Sequence, residues 1–412
     1  MTQHVAPIVL DPAARDADAE HRLLRAQGAV ARVDILGVEA WSVTDPALLK
    51  ELLTGQDVSK DGRRHWPGYD EAVRTWPLAL WVAAMNMFTA YGGDHRRLRR
   101  IVAPALSARR TAALEPVVQG VVDGLLDGLE TTPAGGVAEL RERFAYPLPI
   151  AVIGHLMGVP EDRGADFRGL VDGVFDTMLT PEEAAGNNQR LYAMLDDLIA
   201  DRRAHPGDDL TSALIAMRAD EDGEGGAALS EGELRDTLLL MINAGYETTV
   251  NLVDQAITTL LTHPGQLAHV RSGRATWADV VEETLRHEPP VKHLPLRYAV
   301  ADIPLPDGRT ILKGEAILAS YAAANRHPDW HPDPDAFDVT RLTKEHLAFG
   351  HGIHFCLGAA LARLEGVTAL RSFFDRFPDA ELAVPADRLE PMASLISNGH
   401  RSLPVRLRPA AA

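Results

Sequence analysis

The chain has 412 residues, 46% of them hydrophobic, and a formal net charge of −17. Its length and apolar fraction suit a protein with a sizeable core, and its negative charge argues against nucleic acid or an anionic membrane as partner. Cys356 is the only cysteine, which rules out an internal disulfide and removes any need for an oxidising compartment.

The run Met1 to Pro7 has no basic stretch leading into an apolar one, so no secretory signal is expected. The most apolar window, Trp76 to Phe88, contains Pro77 and Asn86 and is too short to span a bilayer. A cytoplasmic location without a membrane anchor is the expectation. Val33 to Val43 reads as a hairpin turning at Gly37. Residues 94–130 and 137–158 carry helical patterns, and the acidic, glycine-rich stretch Glu221 to Gly226 reads as a loop.

Ser230-Glu231-Gly232-Glu233 has the form of a capping box. Apolar residues run on to Leu261 and Pro264-Gly265 ends them, which predicts a helix of about 32 residues, roughly 48 Å long. Leu238 to Ile242 is apolar on all sides, so this helix should cross the interior. A second helix is predicted from about Thr276, with Asp279 favouring its N-terminus, to just before Pro289-Pro290. Leu294 to Ser320 alternates and turns at Asp307-Gly308, and Leu395 to Leu407 also looks like β-structure. The predicted architecture is mainly α with small β-sheets. One domain is expected over 1–412, helix-rich over about 94–290 and 345–380 and β-rich over about 31–45, 294–320 and 390–408, because no linker-like segment interrupts the chain.

Five local patterns bear on chemistry. Cys356 lies in Phe349-Gly350-His351-Gly352-Ile353-His354-Phe355-Cys356-Leu357-Gly358. A lone cysteine is usually a small buried hydrophobe. Glycines on both sides, however, permit tight turns and close approach to a flat cofactor, with free backbone N–H groups for the sulfur. In the long helix, Ala244-Gly245-Tyr246-Glu247-Thr248-Thr249 combines a glycine with a carboxylate in an apolar run, both unfavourable there. Gly245 would let a flat ligand or O2 approach the backbone, Thr248 could hydrogen-bond dioxygen and Glu247 could pass protons inward. The plainer alternative is a kink with Thr248 bonded back to a carbonyl. Glu283 and Arg286 lie three apart on one helix face, as many surface ion pairs do. Arg96, Arg97, Arg99, Arg100, Arg109 and Arg110 make a basic cluster on an acidic protein. It reads as a solvated helix face or as a docking patch for an acidic partner. Trp66, Tyr69, Trp76, Trp81, Met85, Met87, Phe88 and Tyr91 form an aromatic and Met-rich region, core or pocket.

The decapeptide resembles the haem-binding signature of the cytochromes P450, in which Phe349, Gly352, His354, Cys356 and Gly358 occupy the specified places. Glu247-Thr248 resembles the family's acid–alcohol pair, and Glu283-Thr284-Leu285-Arg286 its Glu-x-x-Arg motif. Ala323 to Arg326 and Leu361 to Glu365 resemble the soluble bacterial branch, most closely its actinomycete members, and the motif order agrees along nearly the whole chain. Tyr91-Gly92-Gly93 departs from the prolines usual before His95.

The resemblance implies the cytochrome P450 fold and haem b with Cys356 as axial thiolate. Phe349, Gly350 and Gly358 would cradle the haem, and His95, Arg99, Arg297 and His354 would hold its propionates. Ala244, Gly245, Glu247 and Thr248 would activate oxygen. Arg341 would join Glu283 and Arg286 in a structural trio. Segments near Phe167–Leu179, Lys292–Leu296 and Leu395–Ser397 would help cover the substrate. The implied reaction inserts one atom of O2 into a C–H bond of a small apolar polyketide, steroid, fatty acid or hydrocarbon. A separate ferredoxin and ferredoxin reductase would supply the electrons, and a monomer is expected. A peroxide-driven hydroxylase, a redox-neutral isomerase or cyclase, and a haem carrier without turnover are the alternatives on the same fold.

Overall fold

Side-chain caps set the helix starts. Ser230 Oγ accepts the Glu233 N–H at 3.2 Å while Glu233 Oε2 accepts the Ser230 N–H at 2.9 Å. These reciprocal bonds satisfy two donors that a helix start otherwise leaves unpaired. Thr180 with Glu183 and Thr276 with Asp279 repeat the device. The computed structural model describes residues 6–159, 169–170, 173–174, 176, 178–216 and 229–409. The expected loop Glu221 to Gly226 and much of the segment Phe167–Leu179 lie outside these residues.

Seven helices frame the interior: α1 (Gly92–Val102), α2 (Glu115–Glu130), α3 (Pro147–Met157), α4 (Pro181–Ala204), α5 (Glu231–Thr262), α6 (Trp277–His287) and α7 (Ala359–Arg376). Helix α5 has the predicted 32 residues, and Val250, Val253, Ile257 and Leu260 on it are fully buried. It packs against α3, α6 and α7. Burying each such aliphatic side chain contributes about 1.5–3 kcal/mol.

The strands are β1 (Ile8–Val9), β2 (Val30–Ile35), β3 (Val38–Val43), β4 (Val58–Ser59), β5 (Val137–Glu139), β6 (His293–Ala299), β7 (Ile303–Pro304), β8 (Thr310–Ile311), β9 (Ala316–Ser320), β10 (Glu381–Leu382) and β11 (Pro404–Arg406). A mixed sheet runs β1-β2-β3-β9-β6-β4, beside smaller sheets β10-β11-β5 and β7-β8. The β2–β3 hairpin turns at Leu36 and Gly37, both with positive φ (55° and 88°), as a two-residue hairpin turn matching strand twist requires. The β7–β8 pair flanks the predicted turn at Asp307-Gly308.

Two expectations need correction. Residues 137–139 are a strand paired with β11, and helix begins only at the π-helical turn Arg141–Ala145. The tail from 395 to 407 is mostly irregular, with β11 as its only regular strand and isolated bridges at Ser397 and His400. There the backbone bends to reach buried polar groups. Asn398 Nδ2 donates to Glu288 Oε2 at 2.9 Å, and a Cβ at Gly399 would lie 2.3 Å from Asn251 Oδ1.

Candidate functional site

The segment between β9 and α7 carries Cys356. Gly350 and Gly352 both adopt φ +69°, and a Cβ on Gly352 would lie 2.5 Å from the Leu53 carbonyl oxygen. Only glycine takes that path without strain. The turn is closed by the Cys356 N–H donating to Phe349 O at 2.9 Å. The Cys356 side chain is exposed, yet only to an internal cavity that it lines with Phe349, Gly350, His354 and Gly358. Burial from bulk water raises the thiol pKa. The N–H groups of Gly358 and Ala359, at the start of α7, bond the sulfur and work the other way, as do the charges of Arg99 and Arg363. A helix N-terminus and two guanidinium groups thus favour thiolate.

Helix α5 forms another wall of the same cavity through Leu240, Ala244, Gly245, Thr248 and Leu252. Ala244 is exposed in mid-helix because it faces this space. Thr248 Oγ1 donates to the Ala244 carbonyl at 2.6 Å, the back-bonded arrangement. The missing side chain of Gly245 is taken up by a neighbour: a Cβ there would lie 2.2 Å from Ile153 Cδ1 on α3. Gly245 therefore permits close helix packing in addition to lining the cavity.

Glu247 lies outside the cavity lining. Its carboxylate turns to the fully buried Arg141, whose Nη2 donates to Glu247 Oε1 at 3.1 Å. Arg141 Nη1 also donates to Asp254 Oδ2 at 2.7 Å, and Asp254 accepts from the His400 N–H at 2.8 Å. Burial disfavours the Arg141 cation, but Asp254 and Glu247 more than offset it and raise its pKa.

Cations gather on the opposite side of the cysteine loop. His95 and His354 lie with ring centroids 4.2 Å apart, and both ring nitrogens of the buried His95 lack a hydrogen-bond partner. Burial and the charges of Arg99 and Arg96 hold His95 down at about 4, so its ring is neutral at pH 7. Arg99 Nη2 donates to the Phe355 carbonyl at 2.7 Å, tying α1 to the cysteine loop. Arg297, on β6, is buried and leaves Nη1 unpartnered. Helix α1 starts at Gly92 with φ +59°, which the usual proline could not adopt.

Glu283 and Arg286 are fully buried, not a surface pair, and bond through both carboxylate oxygens at 2.8 Å. Arg286 donates to the carbonyls of Pro334 and Ala336, and Arg341 to those of Pro332, Asp333 and Ala336. Arg341 Nε reaches Glu283 Oε1 at 3.5 Å. The trio fastens the segment that leads into the cysteine loop.

Of the eight aromatic and Met residues singled out, Trp81, Met87 and Phe88 line the cavity, while Trp66, Tyr69, Trp76, Met85 and Tyr91 are not among its walls. Trp66 stacks on Tyr298, and Trp76 Nε1 donates to the Ile35 carbonyl at 3.0 Å. Val174 and Leu294 contribute from two of the expected covering segments; Leu395 and Ile396 belong to the core. Among the described residues, no group of three or more His, Cys, Asp or Glu side chains could hold a metal. A metal at Cys356 must therefore bring its remaining ligands with it.

Known proteins agree with this geometry. The cytochrome P450 family model matches residues 277–397, which include the Glu283–Arg286 pair and the cysteine loop. The chain is 42% identical over 412 residues to a 2-hydroxy-5-methyl-1-naphthoate 7-hydroxylase of Streptomyces carzinostaticus, covering 99% of each. It belongs to the cytochrome P450 family. A 6-deoxyerythronolide B hydroxylase of Saccharopolyspora erythraea is 38% identical, with 93% of this chain and 94% of that one covered. The solved structure of CYP154A1 from Streptomyces coelicolor A3(2) superposes with a TM-score of 0.94 at 67% identity, covering 97% of this chain and 100% of that one.

This P450 is accordingly a monooxygenase, the family implies a haem-thiolate iron cofactor, and the cavity suits that group. One cysteine, its sulfur bonded by the N–H groups of Gly358 and Ala359, faces an apolar space lined also by Arg99 and by the unpartnered ring of His95, which suits a flat macrocycle with two carboxylates. Four residues escaped sequence inspection. Arg141 and Lys60 are cations made significant only by tertiary contacts. Asn243 is a cavity-lining amide whose Oδ1 has no partner. Glu365 is buried in α7 beside the cavity, and burial pushes its carboxyl up to about 8.

Proposed function

We propose that this P450 hydroxylates an apolar, polyketide-class substrate as a single 412-residue domain in the cytoplasm, with electrons from a separate ferredoxin and ferredoxin reductase. The observation that carries it is the shared cavity of Cys356 and the Ala244–Thr248 turn, with Leu239, Leu240, Met241, Trp81 and Phe88 as apolar walls. The relatives named for naphthoate and erythronolide hydroxylation support the substrate class. Among the described residues, no helix is long and apolar enough to cross a membrane.

Haem b, when bound, would supply the activation of O2, with one oxygen atom entering the substrate and the other leaving as water. Cys356 would hold its iron, Phe349, Gly350 and Gly358 would line the site beside it, and His95, Arg99, Arg297 and His354 would bind its propionates. Thr248 reorients its hydroxyl from the Ala244 carbonyl to deliver a proton into the cavity. Glu247, paired with Arg141, is a positioning group that acts through this turn of α5 without touching substrate. Turnover in 18O2 with ferredoxin, its reductase and NADPH tests the assignment: one labelled atom in the product is expected. Unlabelled product would mean isomerisation or cyclisation, and turnover with peroxide but not with the ferredoxin system would mean a peroxide-driven enzyme.

Thr248→Ala should leave oxygen consumption running while product per O2 falls at least about tenfold. Measuring product, O2 and peroxide together checks this, and unchanged coupling removes Thr248 from proton delivery.

The arginine cluster serves as the docking patch. Arg96, Arg100, Arg109 and Arg110 are exposed, and α1 is tied by Arg99 to the loop bearing exposed Ile353 and Phe355. Arg97 is instead engaged with Glu233. Arg96→Glu with Arg100→Glu should slow reduction by ferredoxin about tenfold or more at low salt, converging with wild type as salt rises. Stopped-flow reduction that is equally fast in both proteins would exclude this face.

A further inference from the structure

Lys60 is a buried lysine with no anion. Its side chain is 3% exposed, and its ammonium has no hydrogen-bond partner. The neighbouring acid, Asp61, is already engaged by Arg63 and Arg64. Strand register explains where Lys60 points. Val58 pairs with Ala299 and Ser59 with Tyr298 in the antiparallel β4–β6 ladder, so the next residue, Lys60, comes opposite Arg297. Two like charges across a ladder repel, and these two are also desolvated. Burial and Arg297 push the Lys60 ammonium pKa well below its ordinary value. After burial, Lys60 and Arg297 are the largest influences lowering the His354 pKa, with His95 and Arg99 following, so both cations lie close to His354. Such an arrangement is stable only when a buried anion completes it.

We propose that Lys60 is a cofactor-binding residue, clamping a haem propionate together with Arg297 across the end of the β4–β6 ladder. The assignment rests on the haem site described above. The haem carboxylates supply the missing negative charge, and the unpartnered atoms of Lys60, Arg297 and His95 supply donors for them. The Lys60 ammonium also lies 3.7 Å from the centroid of Phe88, which lines the cavity and meets Trp81 edge-on. Lys60 thus joins the propionate edge of the haem to the wall of the substrate space.

Holoenzymes of wild type, Lys60→Met and Lys60→Arg provide the test. Haem transfer to excess apomyoglobin and the ferric–ferrous potential are measured for each, with far-ultraviolet circular dichroism as a check on folding. Lys60→Met should release haem at least tenfold faster and show a lower potential, since a positive charge beside the cofactor is lost. Lys60→Arg should stay near wild type in both. If Lys60→Met does not fold, Lys60→Gln is read by the same two measurements. Release and potential equal to wild type in the folded neutral variant overturn the assignment. A wild-type protein that takes up no haem overturns the haem site itself, which is a distinguishable result.

Discussion

Cys356→Ser is expected to abolish the strongly red-shifted absorption of the reduced, carbon monoxide-treated protein and to reduce turnover to background. A serine hydroxyl is nearly the size of a thiol, so the loop should fold unchanged; Phe349 O still accepts the residue 356 N–H. What is lost is the soft anionic ligand. The N–H groups of Gly358 and Ala359 and the charges of Arg99 and Arg363 are arranged around a sulfur that can become thiolate. A serine alkoxide is far less accessible at pH 7. Carbon monoxide difference spectra and product assays, with circular dichroism to show an intact fold, give the answer. A variant that keeps both band and turnover would mean that iron is held elsewhere.

Glu283→Ala is expected to have the largest effect on stability. It leaves the Arg286 guanidinium buried without its carboxylate, removes the acceptor of the Asp338 N–H at 2.8 Å and frees Arg341 Nε. Breaking one side of a buried ion pair costs about 3–5 kcal/mol. That is a large share of a typical margin of about 5–15 kcal/mol. Because the trio fastens the segment ahead of Cys356, haem incorporation should fall with stability. The denaturant midpoint and the ratio of haem absorbance to protein measure both. An unfolding free energy within about 0.5 kcal/mol of wild type, the range of ordinary surface changes, would show that the backbone carbonyls alone hold the segment. Arg286→Lys should rescue poorly, since an ammonium cannot replace the bidentate fork.

What the sequence disclosed depended on whether the cause was local. The Ser230 cap, the apolar run to Leu261 and the terminating Pro264 all lie within the helix they define or at its ends, so the start and the length of α5 were legible. The glycines around Cys356 are likewise local constraints, written where they act. Lys60 looks like part of a polar turn until β4 is laid on β6, a pairing between residues almost 240 positions apart. Arg141 gave no signal because its two carboxylate partners are on α5. The aromatic cluster was ambiguous for a further reason: Trp66 and Trp81 have the same character, yet only the second faces the cavity. The tail misled because alternating residues usually mean strand, whereas here Asn398 and His400 are drawn inward by Glu288 and Asp254.

The chain of contacts from His400 through Asp254 and Arg141 to Glu247 couples the C-terminal segment to the cavity-lining helix α5. Its four members come from three separate stretches of sequence, with Glu247 and Asp254 both on α5, and opposite charges alternate along it. Trimming the end of this protein, or fusing a tag to it, is therefore not a neutral change. A disturbance at residue 400 would alter the charge balance at Asp254 and, through Arg141, at Glu247, the residue before Thr248.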